Sequence, residues 1–218
     1  MPLFAGHHLT CIRGERMVFR DVSFALEPGG LLLLVGANGS GKTSLLRIMA
    51  GLTPAAAGML SWNDLDISRE PEAFRSRLRY VGHLDGVKPA LTVAEHLQFW
   101  SALLAADSAR PIDPAPALEA FGIGHLADLP GRFLSAGQRR RLALARLLLV
   151  PAPLWLLDEP RTALDAEAVA RLDAVIGEHR LRGGAVVMSS HAGDRPREAA
   201  VLDLDAAAGV AVAETWTC

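Results

Sequence analysis

The chain has 218 residues, half of them hydrophobic, and its 22 basic and 24 acidic residues give a formal net charge of −2. This length suits one domain with a sizeable core, and the charge balance argues against a chain that mainly coats nucleic acid or an anionic membrane. The longest apolar stretches are 31–35 and the proline-interrupted 147–157. Both fall short of the roughly 20 residues needed to cross a bilayer, so we expect no membrane span.

The first part of the chain alternates apolar and polar residues at 9–11 and 22–26, which predicts an antiparallel β lobe. Later, unbroken apolar runs lie at 31–35, 80–81, 154–157 and 185–189. Helical patterns separate these runs, and strands that are apolar on both faces belong to sheets covered on both sides. The fold class is therefore α/β with a mostly parallel sheet.

Residues 86–131 have a helical pattern with proline-rich joints and no strand pattern, which predicts a helical insertion in the sheet domain. We therefore assign 1–218 to a single domain whose helical subdomain covers approximately 86–150. The weakly alternating segment 200–212 predicts an edge hairpin.

Two capping boxes mark helix starts inside this insertion. Thr92 is followed three residues later by Glu95, and Ser135 in the same way by Gln138. In such a box each of the two side chains satisfies a backbone N–H that the first helical turn leaves without a partner. The boxes predict helices over 97–106 and 139–149.

A glycine-rich loop follows the first buried strand and matches the pattern G-x-x-x-x-G-K-[ST]. Its residues are Gly36, Ala37, Asn38, Gly39, Ser40, Gly41, Lys42 and Thr43. Glycines let the backbone wrap around phosphates, and the N–H groups at the start of the next helix form an anion site. In this pattern Lys42 reaches the β and γ phosphates and the Thr43 hydroxyl coordinates Mg²⁺. The loop predicts a site for a nucleoside triphosphate.

Two carboxylates, Asp158 and Glu159, end the apolar run 154–157. A strand buried on both faces tolerates them only at the carboxyl edge of the sheet, where open α/β sheets bind their ligands. We expect Asp158 to hold the Mg²⁺ shell and Glu159 to polarise the water that attacks the γ phosphate.

Between these motifs stands Leu134-Ser135-Ala136-Gly137-Gln138, which resembles the LSGGQ signature of the ATP-binding-cassette ATPases. This resemblance implies a P-loop fold of that type with ATP and Mg²⁺ as cofactors. It also implies a sandwich of two copies, in which Ser135, Gly137 and Gln138 of one copy face the nucleotide of the other. The Ser135 hydroxyl and the N–H groups at a helix start are physically suited to form such a second anion site.

Further elements of that family follow in order. Ala163-Leu164-Asp165 resembles the D-loop, and His191, after the run 185–189, resembles the switch histidine that contacts the γ phosphate. The resemblance implies that Glu159 and His191 are the catalytic residues, and it covers the chain from residue 9 to about residue 200.

Two positions depart from the family pattern. Arg13 stands where an aromatic residue usually stacks on adenine, and a guanidinium can also stack on a base. His83 stands near the usual glutamine after the strand at 80–81. Its imidazole could ligate Mg²⁺ or hold water, although Mg²⁺ prefers oxygen ligands, or it could simply end the strand.

These departures, together with the segments 13–16, 60–63, 82–88, 91–93 and 134–147, resemble the haem-export ATPases of bacterial cytochrome c maturation. That resemblance implies a peripheral subunit on the cytoplasmic side of the inner membrane, paired with integral-membrane subunits. Its ATP hydrolysis would drive haem export, or release of haem from a periplasmic haem chaperone. The His and Cys residues form no ligand cluster, so we expect no haem to bind the chain directly, and Cys11 and Cys218 are expected to be reduced thiols.

Other functions remain open at this level. A cassette subunit for another cargo would carry the same ATP site, because the membrane partner chooses the cargo. A soluble cassette protein of DNA repair or translation usually has a long coiled coil or a second cassette, and neither is visible here. Only the run Arg139 to Arg141 could favour nucleic acid, and on a helix it more often pairs with carboxylates or faces phosphates, so no nucleic-acid partner is expected. A small P-loop kinase would have no use for the signature.

Overall fold

The computed structural model describes residues 3–104, 113–190 and 199–208 of the chain. Among these residues the strands are, in chain order, β1 (Phe4–Arg13), β2 (Arg16–Leu26), β3 (Leu31–Val35), β4 (Ala57–Trp62), β5 (Leu65–Asp66), β6 (Leu78–Val81), β7 (Leu154–Leu157), β8 (Ala185–Ser189) and β9 (Ala200–Asp203). The α-helices are α1 (Lys42–Met49), α2 (Pro71–Ser76), α3 (Val93–Leu104), α4 (Ala115–Ala120), α5 (Ala136–Ala145), α6 (Ala166–Leu181) and α7 (Leu204–Ala208). The α/β class predicted from the sequence is confirmed.

One sheet is antiparallel and has the order β2-β1-β4-β5. The predicted antiparallel lobe is thus confirmed, with strands longer than the alternating segments. Strands β4 and β5 were not predicted from the sequence. Cys11, on β1, is buried, and within the part of the chain that the structure describes it is a free thiol; Cys218 lies outside the described residues.

The second sheet is parallel throughout the described residues and has the order β6-β7-β8-β3-β9. Every residue of β3, β7 and β8 is buried, because layers of side chains cover both faces of these strands. One apolar core lies between this sheet and the antiparallel sheet with α1. The other lies on the opposite face, against α3, α4, α5 and α6. The parallel direction brings the carboxyl ends of all these strands to one edge.

Both predicted capping boxes are confirmed. Glu95 N–H donates to the Thr92 hydroxyl and Thr92 N–H to the Glu95 carboxylate, at 3.2 and 2.7 Å. The Ser135 box has the same reciprocal pair with Gln138, at 3.2 and 2.8 Å. The helices begin directly after these caps, at Val93 and Ala136, which is earlier than the apolar patterns suggested.

The helical insertion, the C-terminal hairpin and the lack of a membrane span were also predicted from the sequence. Among the described residues of 86–131 there is no strand, only an isolated bridge between Thr92 and Pro130. The C-terminal hairpin was wrong for the residues described: β9 is a parallel edge strand beside β3, and α7 follows it. Of the helices in the described ranges, none has the length and apolar character that a bilayer crossing requires.

Candidate nucleotide-binding site

The glycine-rich loop connects the end of β3 to the start of α1. Gly36 and Gly41 have φ angles of 142° and 103°, which a residue with a side chain rarely adopts. A Cβ on Gly41 would lie 2.6 Å from Cγ1 of Val18 on β2, so the antiparallel sheet packs directly against the loop. Glycine is therefore required here both for the turn and for the close approach of β2.

Lys42 is buried at the first position of α1, and its ammonium is turned back into the loop. Nζ donates to the carbonyl oxygens of Gly36 and Ala37, at 2.7 and 3.0 Å. The hydroxyl of Ser40 is buried too, and it has no hydrogen-bond partner in the described part of the chain. The loop thus contains an ammonium that is held only by carbonyls and a hydroxyl that has no partner. Both groups fit a ligand that brings several acceptor oxygens.

The loop meets the acidic end of β7 through one hydrogen bond. Thr43 Oγ1 donates to Asp158 Oδ2 at 2.8 Å, although 115 residues separate the two in the chain. Asp158 is 1% exposed, so its carboxylate depends on partners inside the protein. The two motifs identified in the sequence are thus brought together at the carboxyl edge of the parallel sheet.

Glu159 is next in the chain and adopts a strained backbone, with φ at 48°. Its carboxylate lies 3.8 Å from Nδ1 of His83 and 3.5 Å from the hydroxyl of Thr162, both measured to Oε2. His83 is largely exposed, at 62% of its side chain. The structure therefore brings His83 to the edge of the predicted site, beside the carboxylate of Glu159.

Two residues of the site were missed in the sequence. Ser189, the last residue of β8, donates to Asp158 Oδ1 and accepts from the N–H of Glu159, both at 2.8 Å. Asp205, in α7, accepts from the N–H of Ala37 at 2.7 Å. A polar residue ending an all-apolar strand is the signal that could have identified Ser189. Nothing in the local pattern around Asp205 indicates its partner.

The signature segment forms the start of α5, and Ser135 caps this helix. A Cβ on Gly137 would lie 2.7 Å from the carbonyl oxygen of Ala163, which has a positive φ of 64°. Glycine is therefore needed at Gly137 for packing within one chain. Ser135 is exposed and Gln138 partly so, and each side chain accepts a backbone N–H within the capping box.

Three further predicted site residues, Arg13, Asn38 and Gly39, are exposed. Arg13 is exposed at the tip of the β1–β2 hairpin, opposite Arg16. Asn38 and Gly39 lie in the loop, with φ at 84° for Gly39. His191 lies outside the described residues. In the described ranges, no group of three or more His, Cys, Asp or Glu residues is placed to hold a metal ion.

A groove of about 550 Å³ opens between the end of β6 and helix α3, next to Thr43 and Asp158. Arg146 stacks on the ring of Trp100 at 4.9 Å from its centroid. Burial lowers the pKa of Arg146 to about 10, which leaves it charged at neutral pH. Leu84, at the rim, is 84% exposed.

Comparison with known proteins agrees with this geometry. Residues 19–162 match the model of the ABC transporter family. The cytochrome c biogenesis ATP-binding export protein CcmA of Paramagnetospirillum magneticum is 50% identical over 205 residues, covering 93% of this chain and 94% of its own length. The protein of the same description from Rhodospirillum rubrum is 51% identical, covering 93% and 86%, and that from Yersinia pestis is 44% identical, covering 87% and 86%.

Solved structures agree with the fold. An ATP-binding subunit of an ABC transporter superposes with a TM-score of 0.77 at 25% identity, over 87% of this chain and 79% of that one. The ADP conformation of another ATP-binding cassette has a TM-score of 0.73 at 20% identity, over 89% and 83%. From the family match, the near full-length relatives and the geometry of the site, the chain belongs to the ABC transporter family as an ATP-binding, ATP-hydrolysing member.

Proposed function

We propose that this chain is the ATP-hydrolysing subunit of a bacterial export complex for cytochrome c biogenesis, and that it drives haem export or the release of haem from a periplasmic haem chaperone. The observation that carries the proposal is the identity of 50–51% with two cytochrome c biogenesis ATP-binding export proteins, across 93% of the chain. A subunit for another cargo is not favoured, because the likeness covers the whole cassette, including the segment after β6.

In this proposal residues 36–43 hold the phosphates of ATP. Lys42 would exchange the carbonyls of Gly36 and Ala37 for β- and γ-phosphate oxygens, and its compact ammonium suits that space better than a guanidinium. Arg13, at the tip of the hairpin whose strand β2 packs on Gly41, would stack on the adenine ring.

Thr43 and Asp158 are the proposed magnesium residues, because they present oxygen atoms to each other at 2.8 Å beside the loop. A pair of protein oxygens completed by phosphate oxygens and water is the usual environment of Mg²⁺. When bound, this ion neutralises the charge of the β and γ phosphates. His83 would be at most an outer contact, since it faces the carboxylate of Glu159 at 3.8 Å.

Glu159 is the proposed residue that orients the attacking water and accepts its proton. The backbone of Glu159 is held by Ser189, whose hydroxyl accepts a hydrogen bond from the Glu159 N–H at 2.8 Å. The contact with the γ phosphate is assigned to His191 because this residue resembles the switch histidine of the family, and His191 itself lies outside the described residues.

Two copies would enclose two nucleotides, with Ser135, Gly137 and Gln138 of one copy facing the phosphates held by the other. The start of α5 supports this arrangement, since its exposed first turn combines a serine hydroxyl with helix N–H groups that favour an anion. Binding of ATP would then close the dimer and hydrolysis would reopen it.

Integral-membrane subunits are the proposed partners, and the place of action is the cytoplasmic side of the inner membrane. The groove beside Trp100 and the exposed side chains of Leu84, Phe99 and Leu103 support docking of the helical insertion on such a subunit. No haem site is proposed on the chain itself.

The test is complementation of a bacterium that lacks its own cytochrome c biogenesis ATP-binding export gene. The wild-type chain should restore covalently bound haem in c-type cytochromes, measured by haem peroxidase staining, while Lys42→Ala should not. Lys88→Ala, which removes the other lysine, is the matched control and should complement. Failure of the wild-type chain, despite normal expression and ATPase activity, would assign the cassette to another cargo.

A further inference from the structure

Arg140, on the second turn of α5, is the most completely bonded side chain near the site. It is 3% exposed, and its guanidinium donates five hydrogen bonds, the number of N–H groups that it carries. The acceptors are Pro160 O at 3.3 Å, Gly82 O at 2.9 Å, Asp85 Oδ1 at 3.1 Å, Asp158 O at 2.6 Å and Glu159 O at 2.9 Å. Four of the five are backbone carbonyls, so the contacts depend on the path of the chain.

Two of these bonds fix the backbone on both sides of Glu159. The carbonyl of Asp158 belongs to the peptide group before the Glu159 Cα, and the carbonyl of Glu159 to the peptide group after it. Holding both peptide planes sets φ and ψ of this residue, and therefore the direction in which its side chain leaves the backbone. The strained φ of 48° needs such support, because an isolated residue would leave this conformation.

Two other bonds hold the loop that follows β6. NH1 donates to the carbonyl of Gly82 and to the carboxylate of Asp85, the residues on either side of the short segment that carries His83. That histidine lies 3.8 Å from the Glu159 carboxylate. The guanidinium of Arg140 thus holds the backbone next to His83 and the backbone of Glu159.

We propose that Arg140 is a positioning residue, which transmits the placement of the signature helix to Glu159 and to the loop 82–85. The proposal rests on the function proposed above, because it concerns hydrolysis at the same site. The signature helix, α5, is the one whose first turn would face the partner's nucleotide. A shift of α5 would therefore reach the Glu159 backbone through the side chain of Arg140. The five recorded hydrogen bonds of Arg140 all go to protein groups, so its proposed effect on hydrolysis is exerted through them.

The residue type matters, because a planar guanidinium is preorganised to bond several acceptors at once. A lysine ammonium has three donors at one point and cannot span Gly82 and Glu159 together. Arg140→Lys keeps the charge and most of the length while removing this geometry, which makes it the informative variant.

The experiment compares ATP hydrolysis, nucleotide affinity and amide hydrogen exchange in wild type, Arg140→Lys and Arg79→Lys. Arg79 is the matched control, since it is also buried and donates to the backbone carbonyls of Ser76, Leu78 and Pro151, none of which adjoins Glu159 in the chain. For Arg140→Lys we expect kcat to fall at least about tenfold, with the dissociation constant of a fluorescent ATP analogue within about threefold of wild type. Amides of residues 82–86 should exchange faster in Arg140→Lys only.

Several results would overturn the proposal: a kcat of Arg140→Lys within twofold of wild type, an equal loss in Arg79→Lys, or a loss confined to nucleotide affinity. If Arg140→Lys does not fold, Asp85→Ala tests the loop arm alone, and unchanged exchange at 82–86 in that variant would overturn the proposal as well. If the wild-type chain itself does not hydrolyse ATP, the proposed function fails, while the exchange measurement still decides whether Arg140 holds the loop.

Discussion

The hydroxyl of Ser189 donates a hydrogen bond of 2.8 Å to Oδ1 of Asp158, and each residue is 1% exposed. Loss of one charge-assisted hydrogen bond to a buried carboxylate lowers the free energy of unfolding by about 1.5–3 kcal/mol. Ser189→Ala should lower the free energy of unfolding by about that amount in urea titrations. It should also lower kcat, because the same hydroxyl accepts the N–H of Glu159. Ser61→Ala, a buried serine on β4, is the control, and equal effects of the two changes would contradict this account.

Lys42→Ala should abolish nucleotide binding. The ammonium is buried and its hydrogen bonds go to the carbonyls of Gly36 and Ala37, so an alanine leaves the loop with exposed carbonyl dipoles where phosphate charge must be placed. Titration with a fluorescent ATP analogue measures the loss, which we expect to exceed about 100-fold in affinity. Lys88→Ala, the control, should bind as the wild type does, and near-normal binding by Lys42→Ala would refute this role of the loop.

Glu159→Gln should bind ATP normally, lose turnover and accumulate as a dimer. Glutamine preserves the size of the side chain and its backbone supports, but a neutral amide cannot accept a proton from water. Size-exclusion chromatography with ATP measures the dimer, and phosphate release measures turnover. Glu167→Gln, on the exposed start of α6, is the control, and a Glu159→Gln protein that stays monomeric and fully active would exclude the proposed mechanism.

His83→Gln should keep ATPase activity within about threefold of wild type. The imidazole is largely exposed and lies 3.8 Å from the Glu159 carboxylate, which is beyond a normal hydrogen bond. A glutamine amide at this position can hydrogen-bond water as an imidazole can. Complete loss of steady-state phosphate release in this variant would mean that the imidazole has a chemical role of its own.

The sequence was sufficient for those parts of the fold and site in which the residue type is itself required. Positive φ at Gly36 and Gly41 requires glycine, and the all-apolar β3, β7 and β8 require cover on both faces. Both helix caps were predicted correctly because a capping box is a local device.

The rest could not be predicted because the partners are distant or the local pattern is ambiguous. Asp205 bonds a residue 168 positions away, and Ser189 one 31 positions away. The β4 segment is half exposed and lacks clear alternation. The weak alternation of β9 fits either a hairpin or a parallel edge strand, and only its pairing with β3 decides between them.

Stability should fall below neutral pH through His179, which stacks on Trp155 with ring centroids 3.8 Å apart. Burial lowers the pKa of His179 below its ordinary value of 6.5; the backbone hydrogen bond with Ala185 opposes this shift and the charge of Arg182 adds to it. The unfolded chain therefore binds a proton more readily than the folded one. This contribution to stability is complete above pH 6.5 and declines as the pH falls from 6.5 towards the folded-state pKa.

His179→Phe keeps an aromatic ring against Trp155 but cannot be protonated, so its urea midpoint should fall less between pH 7.5 and 5.5 than that of wild type. His125→Gln, which replaces an exposed histidine, is the control for the loss of one imidazole. If His179→Phe lost stability with acid as steeply as the wild type, the acid sensitivity would have to arise from other groups, and the buried imidazole would not be its source.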